Sequence, residues 1–462
     1  MSFLQKILPA KQAEVRTLRA VLAQAKPIRT SEVRDFATAL KGGDRLIAEI
    51  KRKSPSHPEF HQLASPTTLA RAYLRNGAAA LSIVTDATHF GTSLDDVAAV
   101  KAAVPLPVLV KDFVIDELQL LAAWAAGADA VLLIVRMLDG DRLGELLKYA
   151  HSLGLHVLVE CHDQADIDLA IKAEARLIGV NNRNLATLTT DLSHGAAMMP
   201  GVPKQATRIS ESGLYRRSDI LRLAAVGADA FLVGHALLQS RDPGRKVAEL
   251  SGREAEDGRR VKTCGITNVA DAVMAHEAGS HILGLILADS PRQVAAEQVL
   301  KIRAAVPNAR LCGVFVDEQL DEVATLAHRC DLDLIQLHGH ESPEYCQQLA
   351  EASGLPLIKA LAADEATCEL AASYDAAAYF LVDLPKGPDK RALTTADCQT
   401  AANALTTAGH EVFLAGGLTP QNIAAACAAA TTYAVDTASG IENSPGHKDA
   451  ELTRAFITEA IR

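Results

Sequence analysis

The sequence predicts an α/β fold of two tandem (β/α)8 (TIM) barrels, the first with an N-terminal helical extension. Three observations predict it. Short apolar runs alternate with alanine-rich helical patterns along the chain. Many of the helical patterns close in a Gly-Ala-Asp-like turn that feeds the next run, as in "NGAAALSIVTD", "AGADAVLLIVRM" and "VGADAFLVGHAL". The runs also form two sets of eight, separated by the polar, charge-rich "SGREAEDGRR" (251–260), the natural linker. Eight alternations of strand and helix are what a closed parallel barrel with an outer ring of helices requires. A chain of 462 residues exceeds one ordinary core, and domains at 1–255 and 256–462 are of unremarkable size.

In order, the first set reads "RLIAEIKR", "ALSIVTD", "PVLVKDF", "AVLLIVRM", "HVLVECH", "LIGVNNRN", "ATRISES" and "AFLVGHA". The second reads "RVKTCGIT", "HILGLILAD", "RLCGVFVD", "LIQLHG", "PLIKAL", "AYFLVD", "EVFLAGG" and "TYAVDTA". The competing architecture, a pair of open doubly wound sheets, lacks support because neither half carries a G-x-G-x-x-G after its first strand.

Composition removes whole classes of function. A hydrophobic fraction of 49% with little aromatic content argues for a globular chain. Lys6, Lys11 and Glu14 interrupt the apolar residues of the opening segment, so no signal-peptide h-region is read there, and no run approaches transmembrane length. Eight scattered cysteines without a C-x-x-C pair suggest neither a disulfide framework nor a zinc site, and point to the reducing cytoplasm. No metal or cofactor is expected. A net charge of −10 gives no footprint for nucleic acid or an anionic membrane, so any positive site must be local. Oligomeric state is not legible, and a monomer would suffice.

The barrel reading locates the chemistry, because active-site side chains of such barrels sit at the C-terminal ends of the strands. In "IAEIKRKSPS", period-2 alternation aims Glu49, Lys51 and Lys53 at one face. The same logic places Lys111, Glu160, Asn181, Arg183 and Glu211 at strand ends around one cavity. Lys53 or Arg52 alone reads as a solvated strand end. The set of both signs instead suggests mutual tuning for proton transfer, since burying Lys111 or Glu160 unpaired costs several kcal/mol. Anion signals lie after strands seven and eight of each set, where barrels often hold phosphate. They are Ser212, Gly213 and Gly234 in the first half, and Gly416, Gly417, Ser439 and Gly440 in the second.

In this order "AEIKRKSPS", "LVKDF", "LVECHD", "GVNNRNL", "ISESG" and "FLVG" resemble the indole-3-glycerol phosphate synthase family. "VKTCGIT", "LADSPRQV", "IQLHGHE", "LAGGL" and "VDTASGIE" with "PGHKD" resemble the phosphoribosylanthranilate isomerase family. The order synthase then isomerase is similar to the fused proteins of enteric-type bacteria. For the first half the resemblance implies closure of carboxyphenylamino-deoxyribulose phosphate to indole-3-glycerol phosphate, with loss of CO2 and water. Lys111 would be the general acid and Glu160 would serve the second proton transfer. Glu49, Lys51, Asn181 and Glu211 would orient them, while Ser54, Arg183, Ser212, Gly213 and Gly234 bind the phosphate or line its approach. From chemistry alone Lys111 could equally form a Schiff base. The N-terminal helical segment matches an extension that covers the mouth in this family; its alternative is a plug at the barrel bottom.

For the second half the resemblance implies an Amadori rearrangement of phosphoribosylanthranilate, with Cys264 as base, Asp383 as acid and Arg292 facing the anthranilate carboxylate. A thiol near ~8.5 and a carboxyl near ~3.9 would both need shifting to work at neutral pH. In one departure, the glycine-rich loop usual after the acid reads "LPKGPDKRAL" here, with Gly387 alone. Two other readings compete: a non-catalytic pair of barrels kept as a metabolite sensor or scaffold, and an isomerase for a related phosphoribosyl compound of histidine synthesis. Retention of Lys111, Glu160, Cys264 and Asp383 speaks against the first, and Arg292 against the second.

Overall fold

Each of the sixteen apolar runs forms a strand. In the first barrel these are β1 (Arg45–Ile50), β2 (Ala80–Val84), β3 (Val108–Lys111), β4 (Ala130–Ile134), β5 (His156–Cys161), β6 (Leu177–Asn181), β7 (Thr207–Glu211) and β8 (Ala230–Val233), closed by pairing of β8 with β1. The second barrel holds β9 (Arg260–Cys264), β10 (Ile282–Ile286), β11 (Arg310–Phe315), β12 (Leu334–Leu337), β13 (Leu357–Ala362), β14 (Ala377–Asp383), β15 (Val412–Leu414) and β16 (Ala434–Thr437), closed by β16 on β9. All sixteen lie in parallel ladders. The computed structural model describes residues 3–24, 27–53, 64–184, 189–253, 259–363, 367–384 and 393–462, in two units, Met1–Glu256 and Asp257–Arg462. Among the described residues no helix is long and apolar enough to cross a membrane.

The Gly-Ala-Asp turns have a physical task. Asp129, just before β4, accepts the N–H of Val108 that opens β3 at 2.8 Å. Asp229, before β8, does the same for Arg208 of β7 at 2.9 Å, and Asp333, before β12, for Leu311 of β11 at 2.9 Å. Each carboxylate satisfies a donor at the start of the neighbouring strand that would otherwise be buried without a partner. Asp129 is fully buried and also binds Lys101 and the Arg34 N–H, so its charge is compensated.

Both barrels have an apolar layer between strands and helices and a second apolar cluster that includes alternate strand residues. In the first, the second cluster is aliphatic, with Ile47, Leu109, Leu132, Leu158, Ile209 and Leu232, and it takes in Phe36 and Leu40. Phe36 opens the short helix Phe36–Ala39 and Leu40 caps its end, and its N-cap Asp35 lies 3.4 Å from His156 at the start of β5, so this segment closes the barrel bottom. In the second barrel, Tyr379 meets Phe413 edge-on at 5.5 Å and stacks on Tyr433 at 5.0 Å, and Arg260 lies over the Tyr433 ring.

The extension does both things that the sequence allowed. While Phe36 plugs the bottom, the helix Phe3–Gln24 reaches the opposite end through Lys11. That lysine is buried and binds Asp112 at 2.5 Å, Glu14 at 2.9 Å and Asp86 at 3.2 Å. Asp112 directly follows β3, and Asp86 caps the short helix Ala87–Phe90 after β2. The carbonyl of Phe90 accepts the N–H groups of Arg52 and Lys53, so one buried cation ties the helix to the loops leaving β2 and β3 and, through them, to the exit of β1. A small antiparallel pair, β17 (Glu442–Ser444) and β18 (His447–Lys448), was not expected from the sequence.

Candidate active sites

In the first barrel the ends of β1, β3, β5, β6 and β7 bring Glu49, Lys51, Lys111, Glu160, Asn181 and Glu211 to one mouth. Lys51 Nζ donates to Glu49 Oε1 at 2.6 Å, and Lys111 Nζ lies 3.5 Å from Glu49 Oε2. Burial alone would push the Glu49 carboxyl up, but the two ammonium groups hold it down at about 2. Lys111 is shifted the other way: burial disfavours its charge, and Glu49 and Glu160 together more than restore it, so it stays an ammonium.

The two remaining carboxyls divide. Burial would raise Glu160, but His162, Lys111 and Asn181 keep it ionised. Glu211 has the same burial and faces the Glu160 and Glu49 charges, so it is driven well above the usual carboxylate range and holds its proton. One anionic and one neutral carboxyl beside a fixed ammonium form an acid–base set. His162 was missed in the sequence although it lies inside "VECHD". It is buried, with Nε2 3.2 Å from Glu160 Oε1 and its backbone N–H bound by Asp166 at 2.8 Å. Alternation from Glu160 was the available signal.

Glycines make room for these groups. A Cβ at Gly179 of β6 would run into Glu211 Oε1, and one at Gly234 into Glu49 Oε1. Gly234 was expected to serve a phosphate; the structure adds that its bare Cα seats a carboxylate. Ser212 and Gly213 both adopt positive φ, 68° and 78°, which is strained for a serine and turns the chain sharply after β7. Asn182 braces this turn, donating to Ser212 O at 2.8 Å and Ser210 Oγ at 3.1 Å. Arg183 follows Asn181, whose Oδ1 accepts its N–H at 2.9 Å, and its charge is felt at Lys111. Ser54 lies outside the described residues.

In the second barrel Cys264 ends β9, buried, with Gly284 directly opposite in register on β10; a Cβ there would crowd the sulfur. Burial pushes the thiol up, and Lys262 and Lys448 oppose it. Asp383 ends β14, with Oδ2 3.4 Å from His338 Nε2, and His338 Nδ1 is 2.8 Å from Gln336 Nε2. Neither His338 nor Gln336 had been singled out, although "IQLHG" holds both. The loop after Asp383 is described only at Leu384; Gly387 lies outside. Arg292 has a partner the sequence did not suggest: Glu442 of β17 accepts from its Nε at 2.9 Å and Nη2 at 2.7 Å, while Lys448 of β18 binds Glu442 at 2.7 Å. Gly416 and Gly417 turn at positive φ after β15, and Gly440 packs its Cα against Leu418 O, so the loops after β15 and β16 lie together.

Two mouths, each gathering titratable side chains beside glycine-bearing loops, are those of a tandem-barrel enzyme. The family model for indole-3-glycerol phosphate synthase matches residues 4–250, and that for N-(5'-phosphoribosyl)anthranilate (PRA) isomerase matches 261–459. The chain is 33% identical over 455 residues to the tryptophan biosynthesis protein TrpCF of Vibrio cholerae, covering 96% of this chain and 92% of that protein. Over 253 residues, 53% of this chain, it is 44% identical to the indole-3-glycerol phosphate synthase of Micrococcus luteus, covering 94% of that protein. The crystal structure of phosphoribosyl anthranilate isomerase from Thermotoga maritima matches with 32% identity over 44% of this chain and 98% of its own, at a TM-score of 0.40. The chain belongs to the bifunctional tryptophan-biosynthesis family that joins these two domains.

Proposed function

We propose that the second barrel isomerises N-(5-phosphoribosyl)anthranilate to 1-(2-carboxyphenylamino)-1-deoxyribulose 5-phosphate, and that the first closes this product to indole-3-glycerol phosphate with release of CO2 and water. The observation that carries the closure reading is the enclosure of Lys111 by Glu49 and Glu160. An ammonium so held polarises the ketone oxygen and gives up its proton as negative charge develops there. The aryl carbon that bears the carboxylate bonds to the ketone carbon, CO2 leaves, and the new hydroxyl departs as water. Lys111, reprotonated from water after the first step, protonates the leaving oxygen while ionised Glu160 accepts the proton that the ring carbon beside the nitrogen loses. Lys51 and Glu49 fix Lys111, Asn181 steadies Glu160, and protonated Glu211 donates a hydrogen bond. Arg183, Ser212, Gly213 and Gly234, with Ser54, receive the phosphate.

In the isomerisation Asp383 protonates the ring oxygen as the sugar opens, and Cys264 takes the proton from the adjacent carbon. Arg292 offers the guanidinium edge that Glu442 leaves open to the anthranilate carboxylate. Gly416, Gly417, Ser439 and Gly440 receive the phosphate through backbone N–H groups. Each half uses only residues of its own barrel, which suits a cytoplasmic enzyme acting on small phosphorylated metabolites, with a monomer sufficient for both steps.

Feeding phosphoribosylanthranilate to the protein and following indoleglycerol phosphate tests the whole reading. Lys111→Met should abolish closure while the aminoketose still accumulates. A borohydride-trapped adduct on Lys111 would replace acid catalysis with a Schiff base.

A further inference from the structure

The isomerase barrel buries a lysine that no step above uses. On β9, Val261 packs into the layer beneath the helices, and the alternate residues Arg260, Lys262 and Cys264 share the other face. Arg260 lies over Tyr433, Lys262 is fully enclosed, and Cys264 ends the strand. Lys262 Nζ donates to Asp436 Oδ1 at 3.0 Å, and these two are register partners on β9 and β16. Such a pair is expensive to enclose and would be replaced at little cost by apolar residues, like the aromatic cluster below it, if packing were its only task.

We propose that Lys262, oriented by Asp436, is a positioning residue that supplies the fixed positive charge against which Cys264 becomes a thiolate. The inference rests on Cys264 being the isomerase base. A base at this position must shed its proton inside an enclosed site, where lost solvation disfavours the anion. The groups that act on Cys264 are Lys262 from its own strand, Asp436 from β16, and Lys448 from β18. Arg292 and Cys312 feel it in turn, and Asp383 and His338 act on Asp436. Of the cations, Lys448 and Arg292 are both bound to Glu442, which offsets them, and Asp436 raises the thiol. Among these charges Lys262 opposes burial at the sulfur most strongly, and it lies two residues below it on the same face of β9. Asp436 therefore holds the ammonium in place while weakening its field, which leaves Cys264 able to gain and lose a proton.

The test follows iodoacetamide alkylation of the Cys264 peptide by mass spectrometry across pH in the full chain, with isomerase kinetics on the same samples. In Lys262→Met the alkylation midpoint should rise by at least about one pH unit, slowing the reaction roughly tenfold below it. The kcat for isomerisation should fall in parallel, with KM within about twofold. The double variant Lys262→Met/Asp436→Asn, compared with Asp436→Asn alone so that only the ammonium differs, carries the test if the single variant loses its cooperative melt. An unmoved alkylation midpoint in the folded variant overturns the proposal and makes the pair a packing device. A raised midpoint with undiminished kcat leaves the electrostatic role intact and removes Cys264 as the base.

Discussion

The two barrels solve opposite electrostatic problems with the same architecture. The first gathers its charges at the rim, where Lys111 is caged by Glu49 and Glu160 and stays cationic. The second sets Cys264 and Asp383 at strand ends and its lysine two residues below the sulfur. A ketone needs a standing positive charge, whereas a proton shuttle needs a group that can be neutral and then charged. In the proposed reactions a lysine at a strand end serves the first need and one a layer down the second, and a two-residue step keeps the side chain on the same face while changing its depth.

Crossing the two sites should break the comparison most sharply if it is wrong. Cys264→Ala should lower isomerisation by about 10²- to 10⁴-fold and leave closure of supplied aminoketose near normal; Glu160→Gln should do the reverse. Separate assays of the two half-reactions decide, and loss of both activities in either folded variant would show that the sites are coupled.

Next in size is Lys11→Met. It strips the cation from Glu14, Asp86 and Asp112, and an uncompensated buried cluster costs about 3 kcal/mol. Urea unfolding should show one transition move while the other stays, and closure should weaken as the loops after β2 and β3 loosen. An unchanged first-barrel transition would show that the helix docks without Lys11.

The smallest effect on stability is expected for Glu211→Gln below about pH 4. There Glu211 carries a proton in the folded and the unfolded chain alike, so glutamine mimics it and stability should change little. A raised carboxyl contributes stability that is present below its unfolded pKa, ~4.3, and lost as pH rises through its folded value. The variant should therefore lose less stability than the parent toward alkaline pH. Glu49 has the opposite sign: its contribution is present above ~4.3 and is lost as pH falls toward about 2. A pH series of denaturant midpoints separates the two.

The strands were legible because each apolar run is short and bounded by a turn with its own chemistry; Asp129, Asp229 and Asp333 show why an acid belongs in that turn. Strand-end groups such as Glu49, Lys111 and Glu160 were legible for the same reason, since alternation fixes the face and the barrel fixes the end. Groups defined by a through-space partner were not. Nothing near Arg292 announces Glu442, which lies 150 positions away. Lys262 reads as part of a motif until Asp436 is seen beside it, and Lys11 looks like one more charge in an amphipathic helix. The β17–β18 pair carried a signal, the Pro-Gly turn of "ENSPGHK", but its strands are too short for periodicity to register.

Gly179 and Gly234 have a consequence for heredity. The place of the Glu211 carboxyl is specified jointly by codons 211 and 179, and that of Glu49 by codons 49 and 234. A single base change can turn any glycine codon into an alanine codon, which leaves every acid and base of the synthase intact on paper. The added methyl would crowd the carboxylate out of its seat, so an allele scored as conservative should lower the synthase activity with every acid and base still encoded.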